Sequence, residues 1–264
     1  MTFADASAVE GGNGLWEGTV PDGWDIRGIT NGGFLMAMAT RAMEAESDGR
    51  ELISATGNFV NPATSGPVEI VVEPLKNGRS LSTMTATVLR DDKSLAYVTG
   101  VYAHTDRPKP EEDLVLGGPP ELPVPDDCVR ATPAEDREFP PPLTGKIDLR
   151  VHPDDASALE ELPGDRPLIR GWFRLLGEEP LDGHGVVLAT DCFPPAIFNS
   201  PYPAGWTPTI ELAIQVREPR PRGWLACRFE TRFVTGGMLE EDGQLWDEDG
   251  HLVALSRQLA LVPR

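Results

Sequence analysis

The chain has 264 residues, 40% of them hydrophobic and 25% charged, a composition that supports one large folded domain or two of modest size. Forty-two acidic residues against 23 basic ones give a formal charge of −19. That balance speaks against nucleic acid or an anionic membrane surface as partner, because both demand basic protein surface. No apolar run approaches the roughly 20 residues that a membrane helix needs, and the opening MTFADASAVEGGNG has no basic start and no long apolar stretch, so no secretory signal is expected. Three cysteines, Cys128, Cys192 and Cys227, suit a reducing cytoplasm and do not form a disulfide framework. The four histidines, His104, His152, His184 and His251, lack metal-ligand spacing, and neither a metal nor a cofactor is expected.

In chain order, residues 13–27 read as one or two short strands broken at the turn Pro21-Asp22-Gly23. Asn31 then stands as N-cap to the run GGFLMAMATRAMEA, with Gly49 just past its end. Apolar side chains cover most of this helix, so it is expected to be buried. Gly32 and Gly33 lower helix propensity in its first turn and admit close approach of a backbone or a ligand carbonyl. Between Leu52 and His104 four β-rich runs, separated by Asn61-Pro62, Asn77-Gly78 and Asp91-Asp92, predict an antiparallel four-strand meander. Residues 105–144 are rich in proline and acids and read as a linker laid over the surface. The expected division is therefore an N-terminal unit, 1–104, the linker, and a C-terminal unit, 145–264.

The second unit repeats the first in outline. IDLRVHP and PLIRGWFRLLG are strand candidates, and Asp182-Gly183-His184 begins a short helix that carries GVVLATDCF and ends at Pro194-Pro195. ELAIQVREP, GWLACRFETRFV, a turn of glycines and acids, QLWDEDG and HLVALSRQLALV follow. The last strands align without a gap, DKSLAYVTGVYA over DGHLVALSRQLA, so that Leu95 meets Leu252 and Val101 meets Gln258. Similar strands in a similar order of elements point to duplication. The polar set is unequal, however: Asp191, Thr209 and Gln258 have no complete counterpart in the first unit.

NGGFLMAMATRA, NGRSLSTMTATVLRDDKSLAYVTGVYA, LATDCF, TPTIEL and LSRQLAL carry a family resemblance. The chain resembles the acyl-CoA thioesterases of the thioesterase II type. The resemblance implies an α+β double hot-dog fold, in which each of two fused units wraps an antiparallel sheet around a helix. It implies a catalytic set of Asp191, Thr209 and Gln258, an acyl-CoA substrate, no cofactor, and a homodimer or larger homo-oligomer. One departure is visible: relatives of the best-known branch carry Asp-His two residues after the threonine, where this chain has Glu211-Leu212.

A thiolate leaves without strong acid help, so thioester hydrolysis needs a placed water, a base and a group for the oxyanion. Asp191 suits the base. Thr209 and Gln258 suit the placing of water, and the Gly32 and Gly33 amides at a helix start suit substrate binding at the oxyanion. The reading is a cytoplasmic hydrolase that converts fatty acyl-CoA to free acid and CoA. The alternatives are a non-catalytic acyl-CoA or lipid-binding protein on the same fold and a hot-dog hydratase or dehydratase, which usually needs an Asp–His pair. Arg217, Arg220 and Arg222 form the densest basic cluster, a candidate for the CoA phosphates or a solvated turn. His184 reads as a surface or capping residue, or a substrate contact.

Overall fold

The computed structural model describes residues 1–104 and 114–263. The first half contains α1 (Phe3–Ala6), β1 (Val9–Gly12), β2 (Leu15–Val20), β3 (Asp25–Ile26), β4 (Ile29–Thr30), α2 (Gly32–Ala45), β5 (Glu51–Phe59), β6 (Gly66–Asn77), β7 (Leu81–Arg90) and β8 (Lys93–Ala103). The second contains β9 (Val129–Arg130), β10 (Ile147–Val151), β11 (Leu168–Leu175), α3 (Gly183–Ala189), β12 (Thr209–Val216), β13 (Leu225–Glu230), β14 (Val234–Thr235), β15 (Met238–Trp246) and β16 (Leu252–Leu261). Among the described residues, no helix is long and apolar enough to cross a membrane.

Helix α2 starts where its cap dictates, with the Asn31 side chain accepting from the Phe34 N–H at 2.9 Å. Its side chains from Phe34 to Thr40, together with Ala42 and Met43, are all buried. A helix apolar over most of its surface has little solvent face, and the sheet accordingly wraps it. Helix α3 is half as long. Asp182 caps it by accepting from the Gly185 N–H at 2.7 Å, and the Thr190 hydroxyl closes its last turn on the Val187 carbonyl at 2.8 Å. Pro194 and Pro195 follow too closely for the helix to continue. The helices pack on each other and are joined by the buried His184, whose Nδ1 lies 2.9 Å from the Thr40 hydroxyl. His184 is thus an internal tie between the units and not a surface cap.

The main sheet runs β1-β2-β6-β7-β8-β5-β12-β16-β15-β13-β11-β10-β9, with β14 attached to β15. From its centre outward the order β5-β8-β7-β6-β2-β1 is mirrored by β12-β16-β15-β13-β11-β10. Two helices wrapped by one antiparallel sheet make this an α+β double hot-dog. The expected four-strand meander holds only for β6, β7 and β8. Strand β5 pairs with β8 on one side and with β12 on the other. Hairpin signals in the sequence mark local turns, whereas this pairing is long-range.

The faces of the strands correct the gapless alignment. Val98, Gly100 and Tyr102 of β8 face α2, and the Tyr102 hydroxyl donates to the Thr40 carbonyl at 3.0 Å. Val101 therefore lies on the opposite face. In the ladders, Ala55 pairs with Gly100 and Gly100 with Met84. In the second half Leu212 pairs with Gln258 and Gln258 with Glu241. Gly100, not Val101, is the counterpart of Gln258, because a one-residue slip exchanges the two faces of a strand.

The proline-rich segment is also not a mere surface strap. Residues 105–113 lie outside the described residues, but β9 pairs with β10, and Ala131, Phe139, Leu143 and Thr144 are buried. Its apolar residues, sparse among the acids, are what dock it.

Candidate active site

A cavity of about 310 Å³ opens where α3 ends. Asp191, Thr209 and Gln258 all line it, and apolar wall comes from Leu35, Phe59, Phe139, Phe193, Phe198 and Phe229. The three polar residues arrive from separate elements: Asp191 from just beyond α3, Thr209 from the start of β12, and Gln258 from the inner face of β16. Gln258 Nε2 donates to the Thr209 hydroxyl. A bulge after Thr209 shifts the β12–β16 register and re-aims the threonine, a common use of bulges beside sites.

Asp191 faces the start of α2. Asn31 Nδ2 donates to its Oδ2 at 2.9 Å and to its backbone carbonyl at 2.7 Å, while the Gly33 N–H donates to Oδ2 at 2.8 Å. One asparagine therefore caps α2 with its oxygen and holds the carboxyl with its nitrogen. Burial pushes the Asp191 pKa up from 3.8 to about 6, against the opposing pull of hydrogen bonds from Gly33, Asn31 and Gly32. Desolvation disfavours the charge, and the donors at a helix N-terminus restore part of it.

The two glycines are needed for this approach. A Cβ on Gly33 would lie 2.9 Å from the Asp191 Cβ and 3.3 Å from the Leu188 Cα. A Cβ on Gly32 would lie 2.6 Å from the Phe59 ring. Gly32 lines the cavity, and the Gly33 N–H is taken up by the Asp191 carboxyl at 2.8 Å. Of the two glycines expected at the oxyanion, Gly33 orients the carboxylate, while Gly32 stands at the cavity wall.

Glu241 was missed in the sequence. Its acid-rich stretch, MLEEDG, reads as a turn but forms the first part of β15, with Leu239, Glu241, Gly243 and Leu245 buried and Glu240, Asp242 and Gln244 less so. Glu241 is only 7% exposed, lines the cavity and accepts from the Ala196 N–H. Burial raises its pKa from 4.5 to about 8, opposed by the Ala196 bond and reinforced by Asp191 and Glu240. The alternation was the signal that would have found it.

Other candidates stand elsewhere. None of Arg217, Arg220 and Arg222 lines the cavity, and Arg220 pairs with Glu51. Arg27 does line it, held by Glu161 at 2.8 Å and Glu138 at 3.3 Å. After Thr209, Leu212 enters the core and Glu211 is exposed, accepting from Asn58 at 3.3 Å. Cys128, Cys192 and Cys227 are free and buried. Among the described residues, Asp247, Asp249 and His251 bring possible metal-ligand atoms within 4.8 Å of one another in the β15–β16 turn, away from the cavity wall. Asp247 already serves that turn by accepting from the Asp249 and His251 N–H groups.

The amino-terminal domain of acyl-CoA thioesterases matches residues 20–104, and the carboxy-terminal domain matches residues 125–262. A solved structure of a Thermobifida fusca protein assigned to thioesterase II is 31% identical, covers 100% of this chain and 98% of its own, and superposes with a TM-score of 0.86. The tesB protein of Mycobacterium avium subsp. paratuberculosis shares the fold at 19% identity, with a TM-score of 0.78 over 99% of this chain and 98% of its own. The thioesterase-like protein TwmA of Talaromyces wortmannii is 23% identical over 91% of this chain and 85% of that protein. The chain belongs to the acyl-CoA thioesterase family and is a thioester hydrolase.

Proposed function

We propose that the cavity hydrolyses acyl-CoA thioesters by a water activated at Asp191, with fatty acyl-CoA as the broad substrate class. The observation that carries this reading is the convergence of Asp191, Thr209 and Gln258 on one largely apolar cavity. The Thr209 hydroxyl and Gln258 amide hold the water and fix its line of attack. Ionised Asp191 takes one proton as the water oxygen bonds to the carbonyl carbon. The tetrahedral intermediate then collapses, the C–S bond breaks, and the CoA thiolate regains a proton from Asp191. One water is consumed, and one acid and one thiol are formed.

A base with a pKa of about 6 is ionised at neutral pH and still basic enough to accept the proton. The aromatic wall accommodates the acyl group, and a volume at the lower end for ligand cavities favours a compact one. The test is thiol release from short-, medium- and long-chain acyl-CoAs by the parent and Asp191→Asn. The variant is expected to fold and to lose on the order of 10²–10⁴-fold in kcat. Parental rates across the panel would place the chemistry elsewhere.

A further inference from the structure

Glu241 is a carboxyl in a place where β15 calls for an apolar side chain. Leu239 and Leu245 occupy the same face, Met84 holds the corresponding ladder position in the first half, and Phe193 and Phe229 stand in the same cavity wall with ring centroids 5.0 Å apart. Its hydrogen bond goes to one backbone N–H, that of Ala196. Among the described residues, the charges that bear on it are those of Asp191 and Glu240. A buried carboxyl in such surroundings resides as the neutral acid, which has an O–H to donate as well as an oxygen to accept. An unsubstituted alkyl chain laid against it would leave that group without a partner.

A second polar group in the wall is in the same condition. The Thr30 hydroxyl is buried, lines the cavity, and has no hydrogen-bond partner among the described residues. Glu241 also lies beside the catalytic pair, directly opposite Gln258 on the adjacent strand. Neighbouring strands are about 4.8 Å apart, so an acyl group attacked at Gln258 and laid along the Phe193–Phe229 wall meets Glu241 within its first few carbons.

We propose that Glu241 is a specificity-determining residue that selects acyl thioesters bearing a hydroxyl or oxo oxygen close to the thioester, over plain alkyl chains of the same length. The proposal rests on the reading of Asp191, Thr209 and Gln258 as the hydrolytic site. A site built to hydrogen-bond a substrate oxygen rejects the analogue that lacks it, because its own buried group is then left unpaired.

The experiment compares kcat/KM for two CoA thioesters matched in length, one saturated and unsubstituted, the other carrying a 3-hydroxyl. The parent is expected to favour the hydroxyacyl substrate by about 10-fold or more. Glu241→Met, which installs the side chain found at Met84, is expected to erase that preference by slowing the hydroxyacyl substrate and accelerating the alkyl one. Glu241→Gln keeps donor and acceptor and is expected to retain it. A parent that treats the pair equally or prefers the alkyl chain overturns the proposal, as does a folded Glu241→Met with the parental ratio. If Glu241→Met does not fold, the parental ratio and its retention in Glu241→Gln decide. Asp191→Asn runs alongside: parental hydrolysis by that variant would sink the underlying site assignment, whereas its loss together with an indifferent parent would sink only the role of Glu241.

Discussion

In the first half of the sheet, Ala55, Gly100 and Met84 lie side by side on three neighbouring strands beneath α2, with Gly100 against Met43 in its last turns. In the second half the matching positions hold Leu212, Gln258 and Glu241, and the helix above them, α3, is half as long. Counted from the N-caps Asn31 and Asp182, Asp191 falls at the level of Thr40, where α2 is still helical. The first half spends that level on core, with Tyr102 and Thr40 joined by a hydrogen bond and Met43 against Gly100. The second half stops its helix, leaves a cavity, and lines it with polar groups. On the proposed reading the second half is the working copy, and the first supplies it with the N-terminus of α2, which holds the Asp191 carboxyl.

The largest contrast between the halves is electrostatic, and pH exposes it. Below pH 4.5 Glu241 is protonated in both folded and unfolded chains. Between 4.5 and about 8 the unfolded carboxyl has ionised while the folded one keeps its proton, so stability falls as pH rises through that window. Glu241→Gln carries no such liability. Denaturant melts at pH 5 and pH 8.5 should show the variant gaining on the parent by up to about 4 kcal/mol at the higher pH. A difference that does not change with pH would mean Glu241 ionises freely.

The next contrast is catalytic. Gln258→Leu is expected to lower kcat about 10²-fold by releasing the water that Gln258 and Thr209 hold, and Met84→Leu in the first half to change it less than about twofold. Equal losses from both, read in the same thiol-release assay, would abolish the distinction between working and idle copies.

A smaller contrast concerns the glycines. Gly33→Ala sets a Cβ against the Asp191 Cβ and the Leu188 backbone and is expected to cost about 1–3 kcal/mol of stability, with activity falling as the carboxyl is displaced. Gly100→Ala meets the side chains of Tyr102 and Met43. It is expected to cost similar stability while kcat stays near the parental value. Melting curves and kcat measured together separate the two.

Much of this was legible in the sequence, for identifiable reasons. The Asn31 cap and its buried helix follow from local propensity and pattern, and each is present as expected. The duplicated order of strand, helix and strands also survives. Asp191, Thr209 and Gln258 stand out as a polar set without a complete counterpart in the first unit, and the resemblance gives them a role, since none is decisive singly. What escaped was long-range. The pairing of β5 with β8 and β12 leaves no local signature, and a weak gapless alignment does not reveal which face a residue occupies, so Val101 stood where Gly100 belongs. Glu241 was hidden because a run of acids beside glycines looks like a turn. Its alternation with Leu239, Gly243 and Leu245 emerges only if the acid is allowed inside. His184 looked like a surface residue because its partner, Thr40, is contributed by the other unit.

The central claim is that the second half carries the hydrolytic carboxylate and the first half does not. It is tested most directly by thiol release from an acyl-CoA between pH 5 and 9, in the parent, Asp191→Asn and Thr40→Val. The parent and Thr40→Val should gain activity as pH rises through about 6, where Asp191 ionises. Asp191→Asn should be slower by at least about 10²-fold throughout and show no such rise. An Asp191→Asn protein that hydrolyses at the parental rate with the parental pH profile would contradict the account.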